Sequence, residues 1–224
     1  MSRFDPAGVA EFARVHAALA AEACRLGSAT LHEASGRTGA LPHAIKPVSP
    51  EFRVGGPAFT VQGPGGDNLW LHRAIAAAQP GDVLVAYVGG GSAWGYWGEI
   101  MSEAAKARGL AGLIIDGCVR DGALLSGIGF PVFAHGLCIR GTGKNFSGQG
   151  ALAAPVTLGE VIVQPGDLVA GDTDGVVVIS RANAAQVVDA SRRREAAEVE
   201  ITRRIRAGET TLDIYNLHAA AASA

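Results

Sequence analysis

The sequence predicts an α/β protein in which a partly parallel sheet is covered by helices, with helical arms at both ends. Three observations carry this. Between residues 58 and 116, β-rich apolar runs alternate with stretches of helical periodicity. Residues 155 to 180 break into short β-runs separated by Pro-Gly and Asp-Gly turns. Residues 182 to 207 form one charged amphipathic stretch. The 224 residues suffice for one sizeable core, and 48% hydrophobic against 18% charged residues is a globular composition.

Taken in order, "AGVAEFARVHAALAAEACRL" (7–26) has apolar residues at helical spacing and predicts a first helix ended by Gly27. "SATLHEASG" predicts a short second one. "AFTVQ" (58–62) is a strand, "NLWLHRAIAAA" a helix, and "GDVLVAYV" (81–88) a strand. "GGGSAWGYWGE" is a glycine-rich turn leading to the helix "IMSEAAKARG" and the strand "GLIID". After "GFPVFAHG" the β-runs of 155–180 read as hairpins that close a second sheet or a barrel edge. Glycine is about twice its usual share of about 7%, with 31 residues, so many tight turns and close backbone approaches are expected.

Several function classes are excluded. With 19 basic and 21 acidic residues the formal charge is −2, which leaves no electrostatic footprint for nucleic acid. No apolar run approaches the roughly 20 residues of a membrane helix, and "MSRFDPAGVAEF" lacks the pattern of a secretory signal. Cys24, Cys118 and Cys138 form no CxxC pair, so reduced thiols and a cytoplasmic location are expected. The dinucleotide fingerprint fails at Trp94, where its third glycine belongs. Asn145 follows Gly143-Lys144 where a phosphate loop needs Ser or Thr. Neither GxSxG nor HExxH occurs.

What remains is acidic. Glu99 opens a helix beyond a glycine-rich turn, and Asp121 ends the next strand. A strand–helix–strand unit brings those two points to one sheet edge, where helix N-termini also offer free N–H groups to an anion. Carboxylate oxygens suit hard cations such as Mg²⁺ or Mn²⁺. Arg120 beside them suits a carboxylate or a developing oxyanion. Each residue also has a plainer role. Asp121 fits the N-cap of "GALLSG", Glu99 a first-turn acid, Arg120 an exposed ion-pair partner and Lys144 a solvated loop cation. Glu195 and Glu198 fit intrahelical pairs.

The segments "ATLHEASGRTGAL", "IKPVSP", "GPAFTV", "GDNLWLHRAI", "PGDVLV", "GYWGE", "AAKARGLAGLIIDGCVRD", "GFPVFAHG", "RGTGK", "PGDLVAGDTDGVVVI" and "RAGETTLDIY" run in order over nearly the whole chain. Together they resemble the 4-carboxy-4-hydroxy-2-oxoadipate and 4-hydroxy-4-methyl-2-oxoglutarate aldolases. These are class II pyruvate aldolases related to the regulator-of-RNase-E-activity-A fold. The resemblance implies a swivelling β/β/α sandwich forming a single domain over 1–224, with helical arms at 1–30 and 182–224. It implies assembly as a homotrimer or homohexamer with interfacial active sites, a small 2-oxo acid substrate, and no nucleic-acid or membrane partner.

The family's acid-X20-Arg-Asp pattern falls on Glu99, Arg120 and Asp121. By this likeness Asp121 is the direct ligand of Mg²⁺ or Mn²⁺, and Glu99 holds metal-bound water. Arg120 contacts the substrate's keto oxygen, and Gly98, Glu99, Ile100 and Met101 bind the pyruvyl carboxylate. Asn68, Glu33 and Lys144 complete the substrate site, and a tail glutamate, Glu198 or Glu195, reaches the metal waters from a neighbouring subunit. The implied reaction is retro-aldol cleavage of a 4-hydroxy-2-oxo acid to pyruvate, with oxaloacetate decarboxylation as side activity. The alternatives are a dedicated oxaloacetate-type decarboxylase and a non-catalytic interaction protein like the ribonuclease regulator. Two departures stand out: Glu99 stands where aspartate is common, and Leu124 where related proteins carry an acid.

Overall fold

The computed structural model describes residues 4–90 and 93–218. The outermost residues of both expected arms and Gly91-Ser92 of the glycine-rich turn lie outside the described residues. Strands β2 (Val54–Gln62), β3 (Val83–Tyr87), β4 (Gly112–Ile115) and β5 (Val132–Ala134) are parallel neighbours. Helices α3 (Leu69–Ala77), α4 (Glu99–Ala107) and α5 (Gly122–Ile128) make the crossovers between them. The hairpin of β9 (Leu168–Asp172) and β10 (Gly175–Ile179) adds antiparallel to β2, and β1 (Lys46–Pro47) adds antiparallel to β5. Residues 39 to 47 straddle the remaining gap: Leu41 bonds to Val176 of β10, and Lys46 lies opposite Ala134 of β5. The sheet is thereby a nearly closed barrel. Of the expected hairpins, β9–β10 joins this barrel. β7 (Val156–Leu158) and β8 (Val161–Val163) form a separate two-stranded sheet, and the short β6 (Ala151–Leu152) pairs with β2.

Strand β2 is longer than its β-rich core suggested. Val54–Pro57 pair with β9 and Ala58–Gln62 with β3, so the strand turns a barrel corner. Gly55 and Gly56 permit the turn. A Cβ at Gly55 would sit 2.5 Å from the Ala20 carbonyl oxygen, and one at Gly56 2.5 Å from that of Gly81. The glycines that read as strand breakers are what let α1 (Ala17–Leu26) press onto the sheet.

The first helix is correspondingly shorter than expected from residues 7–26. It starts at Ala17, with the His16 imidazole accepting the Ala18 N–H. Residues 9–16 run irregularly because tertiary contacts outweigh their helical pattern. Arg14 reaches the fully buried Asp82 through two hydrogen bonds, of 2.7 and 3.0 Å, and Phe12 meets Phe59 at a ring separation of 6.0 Å. Removing Arg14 would strand a buried carboxylate, a loss of about 3 kcal/mol or more.

The main core fills the barrel and the space under α3–α5, with Phe59, Leu84, Trp97, Ile114, Phe130 and Phe133 essentially inaccessible. A second core joins α1, α2 (Ser28–Ala34), β9, β10 and the start of α6 (Ala184–Arg206). Only the first two turns of α6 are buried, at Ala184, Val187, Val188 and Ser191. Beyond them the helix is an exposed, arginine-rich rod, followed by the short α7 (Thr211–Ile214). Among the described residues no helix is long and apolar enough to cross a membrane.

Candidate active site at the carboxyl edge of the parallel strands

The segments after β3, β4 and β5 continue alongside one another past the sheet. Gly95 bridges Cys118, and Val119 bridges Leu137, both in parallel. Arg120 donates its N–H to the Trp97 carbonyl at 2.8 Å, and Cys138 donates to that of Val119 at 2.8 Å. Ligand sites of α/β sheets lie beyond these carboxyl ends. Here Arg120, Asp121, Gly122, Leu137, Cys138 and Ile139 line a cavity of about 470 Å³.

Asp121 occupies the N-cap position of α5, the plainer role open to it, yet its side chain makes no capping bond there. Instead Oδ2 accepts the N–H of Glu99, 3.1 Å away, at the start of α4. Its backbone is left-handed, with φ 62°, a costly conformation for a non-glycine residue that turns the carboxylate across to α4. The Arg120 Nε lies 3.7 Å from the same oxygen. Gly98 makes the approach possible, because a Cβ there would lie 2.3 Å from Asp121 Oδ2. Its own φ is −160°, which any residue adopts, so space and not conformation demands glycine.

The first intrahelical bond of α4 runs from Ser102 N–H to the Gly98 carbonyl. The N–H groups of Ile100 and Met101 therefore have no acceptor within the helix. The side chain of Ile100 is 79% exposed while Met101 is buried, so any contact of Met101 with a ligand is through its backbone. Trp97 anchors this turn by donating to Ser102 Oγ at 2.7 Å and stacking on Phe130. Asn68 is buried behind it and donates to the Tyr96 carbonyl at 3.0 Å. Asn68 Oδ1 is buried without a partner among the described residues.

Lys144 is exposed, but its loop is firmly tied. Asn68 N–H bonds to the Gly143 carbonyl, Gly143 N–H to that of Gly66, and Asn145 N–H to the Asp67 carboxylate. Asp67 also receives the Leu69 N–H at 2.8 Å and so fastens the start of α3 and the Lys144 loop together. Lys144 is thus the solvated loop cation that the sequence suggests, but on a loop held by Asp67, which the sequence reading does not single out. An acid two residues before a helix start, in "GDNL", was the available signal. Burial, and then the neighbouring Lys144 charge, hold His72 below the usual imidazole range.

The remaining expected site residues lie elsewhere on the chain. Glu33 on α2 pairs with Arg37 at 3.2 Å and faces Arg194 of α6 at 3.9 Å; Glu198 pairs with that same Arg194 at 2.9 Å. The structure thus gathers Glu33 and Glu198 around one arginine, and neither makes a hydrogen bond or ion pair with Glu99, Arg120 or Asp121 among the described residues. Glu195 is engaged by Arg25 through two bonds of 2.8 Å.

Among the described residues no three His, Cys, Asp or Glu side chains converge as a metal-binding group. The set fits a hard divalent cation that keeps most of its water, because Asp121 offers an oxygen with its side chain 36% exposed. It does not fit a closed tetrahedral site.

The carboxylate–arginine pair thus stands beside open helix N–H groups at the carboxyl edge of an α/β barrel. The comparisons are more specific. The family described as "RraA-like: Aldolase/RraA" matches residues 17–178, and the chain belongs to it. A Halalkalibacterium halodurans protein, provisionally named a 4-hydroxy-4-methyl-2-oxoglutarate aldolase, is 36% identical over 156 residues, 70% of this chain and 73% of its own. A structure of an uncharacterized Pseudomonas syringae protein superposes with a TM-score of 0.78 at 30% identity, covering 90% of this chain and 94% of that one. Streptomyces coelicolor RraAS2, described as an unusual member of the RNase ES inhibitor RraA family, gives 0.74 at 30% identity, with 86% and 99% covered.

Proposed function

We propose that the protein cleaves a 4-hydroxy-2-oxo acid, of the 4-carboxy-4-hydroxy-2-oxoadipate or 4-hydroxy-4-methyl-2-oxoglutarate type, to pyruvate and a second oxo acid. The observation that carries this is the Asp121 carboxylate, turned out of its own helix cap and set beside the Arg120 guanidinium at a cavity edge. The left-handed backbone at Asp121, which aspartate tolerates better than most residues, is what turns the carboxylate towards α4 and the cavity. Asp121 would hold Mg²⁺ or Mn²⁺ directly, with Glu99 reaching the cation's water. When bound, the cation would supply Lewis-acid polarisation of the keto oxygen.

The chain's own groups do the rest. The N–H groups of Ile100 and Met101 receive the pyruvyl carboxylate at the positive end of α4. Arg120 donates to the keto oxygen. As the C3–C4 bond breaks, its electron pair becomes the enolate of pyruvate, whose charge falls at Arg120. The C4 hydroxyl proton leaves to water at the exposed edge of the site. Lys144 meets the distal carboxylate as a point charge. Loss of CO₂ from oxaloacetate gives the same enolate, so decarboxylation accompanies aldol cleavage as a side activity.

Assembly belongs to the same reading. Glu33 and Glu198, together around Arg194, complete the site of a neighbouring copy in a homotrimer or homohexamer. The exposed Val199, Ile205, Leu212, Tyr215 and Leu217 of the tail supply apolar surface for that contact. Sedimentation of a fully active monomer would refute it.

The likeness to RraAS2 favours one other reading, a non-catalytic protein that binds a ribonuclease. A panel of 4-hydroxy-2-oxo acids and oxaloacetate, assayed with Mg²⁺ and Mn²⁺ for pyruvate release, separates the readings. Turnover fastest on a C4-hydroxy acid supports the aldolase, and turnover on oxaloacetate alone points to a dedicated decarboxylase. Inactivity throughout, with a ribonuclease captured, points to the regulator.

A further inference from the structure

The barrel carries a second polar mouth. Gln62 ends β2 opposite Tyr87 at the end of β3. Asp116 directly follows β4 and donates its N–H to the Ala86 carbonyl at 2.9 Å. His135 directly follows β5 and donates to that of Gly117 at 2.9 Å. Four parallel strands thus each deliver one polar residue to a single row at their carboxyl ends. Gln62, Tyr87 and Asp116 line a cavity of about 450 Å³, closed on its other side by Val156 and Thr157 of β7. None of its lining residues is shared with the Arg120–Asp121 cavity. Strand ends and barrel mouths are where such folds hold small molecules.

Two buried polar atoms in this region have no hydrogen-bond partner among the described residues. His135 Nε2 lies 2.9 Å from Asp116 Oδ1, but the contact is not aligned as a hydrogen bond. Thr60 is fully buried with Oγ1 unpartnered, and strand alternation sets it on the same face of β2 as Gln62. Native interiors leave few such atoms unpaired; neither residue is itself among those lining the cavity, so Asp116 is the group through which a ligand would be felt at His135.

Charge decides the class of ligand. Among the described residues, Asp116 is the one acid lining the cavity, and no lysine or arginine lines it. An anion would meet the Asp116 carboxylate with only the His135 imidazole beside it, 2.9 Å away and already directed at that carboxylate. A small organic cation would place its ammonium on Asp116, with Gln62 and Thr157 as further acceptors. Its alkyl part would lie along the Tyr87 ring and Val156. We propose that this mouth is a binding site for a small organic ammonium compound, distinct from the aldolase site.

Ethylammonium chloride is the probe, titrated into the full-length protein while the His135 ring resonances are followed by NMR. His135→Gln identifies those resonances among the six histidines. The expected result is a saturable shift with millimolar affinity, unchanged in Arg120→Ala and weakened at least about tenfold in Asp116→Asn. Thr157→Trp, which fills the mouth from an exposed hairpin position, should block binding and leave the melting temperature unaltered. Acetate and ethanol should give no saturable shift. The proposal is overturned if ethylammonium fails to saturate by about 100 mM, if ethanol binds equally, or if Asp116→Asn or Thr157→Trp binds as wild type.

Discussion

The acids of this protein fall into two populations. Along α6 every carboxylate is answered by an arginine of the same chain: Asp189 by Arg192, Glu195 by Arg25, Glu198 by Arg194 and Glu200 by Arg203, with Glu209 just beyond the helix answered by Arg204. At the β4–α5 corner, Asp121 takes one backbone N–H, keeps Arg120 at a long 3.7 Å, and faces a cavity. The first arrangement neutralises charge on a solvated surface, where each pair contributes little. The second keeps a carboxylate available at the cost of a left-handed backbone. The contrast also grades the tail acids. Glu195 would have to abandon two short bonds before serving a neighbour's site, whereas Glu198 gives up one pair with an arginine already shared with Glu33.

The sharpest way to break the comparison is at Arg120. If its contact with the keto oxygen strengthens in the transition state, Arg120→Ala lowers kcat by roughly 100-fold or more. Arg120→Lys keeps the charge, loses the fork and falls between. Steady-state kinetics near wild type for the alanine variant would return Arg120 to the surface class.

Gly98→Ala comes next. The new Cβ would displace the Asp121 carboxylate without straining the backbone, so activity should drop on the order of 100-fold through misplacement. The melting temperature should barely move. A large loss of stability would mean that the corner is structural.

Lys144→Ala has a smaller effect, mainly a rise in KM. Borohydride added during turnover should leave the wild-type mass unchanged, since an exposed, charged lysine forms no imine. The same substitution removes one of the influences holding His72 down, so its NMR titration should move upward. An unmoved His72, or a trapped pyruvyl adduct, contradicts this role.

The smallest effect belongs to the tail. Hydrogen bonds from Arg25 hold Glu195 and Glu22 below the ordinary carboxylate value of 4.5, with Arg192 adding to the effect on Glu22. A depressed folded-state pKa stabilises above the unfolded value and loses that contribution as pH falls through the folded one. Protection factors along the outer turns of α6, corrected for the intrinsic fall of exchange with pH, should therefore drop slightly below about pH 4.5, and with added salt, while the barrel strands stay protected. No acid response in α6 would show the Arg25 pairs to be incidental.

The sequence made the crossover helices and three of the four parallel strands legible, because their apolar runs are bounded by turn residues. Glu99, Arg120 and Asp121 stood out for the same reason, as charges left at strand and helix ends. Tertiary contacts hid the rest. Gly55-Gly56-Pro57 reads as a breaker until α1 is seen lying on it, and residues 9–16 read as helix until Arg14 finds Asp82. Asp67 was invisible as the clamp on Lys144 because the two are 77 positions apart. The space that Gly98 leaves for Asp121 depends on a left-handed residue 23 positions later, which no local pattern announces.

On the function proposed above, the corner of Asp121, Glu99 and Arg120 works only with a divalent cation. The most direct test is pyruvate release from a 4-hydroxy-2-oxo acid before and after EDTA. Release should cease with chelator, return with Mg²⁺ or Mn²⁺, and fail to return in Asp121→Asn at the same cation concentration. Full pyruvate release in the presence of EDTA would contradict it.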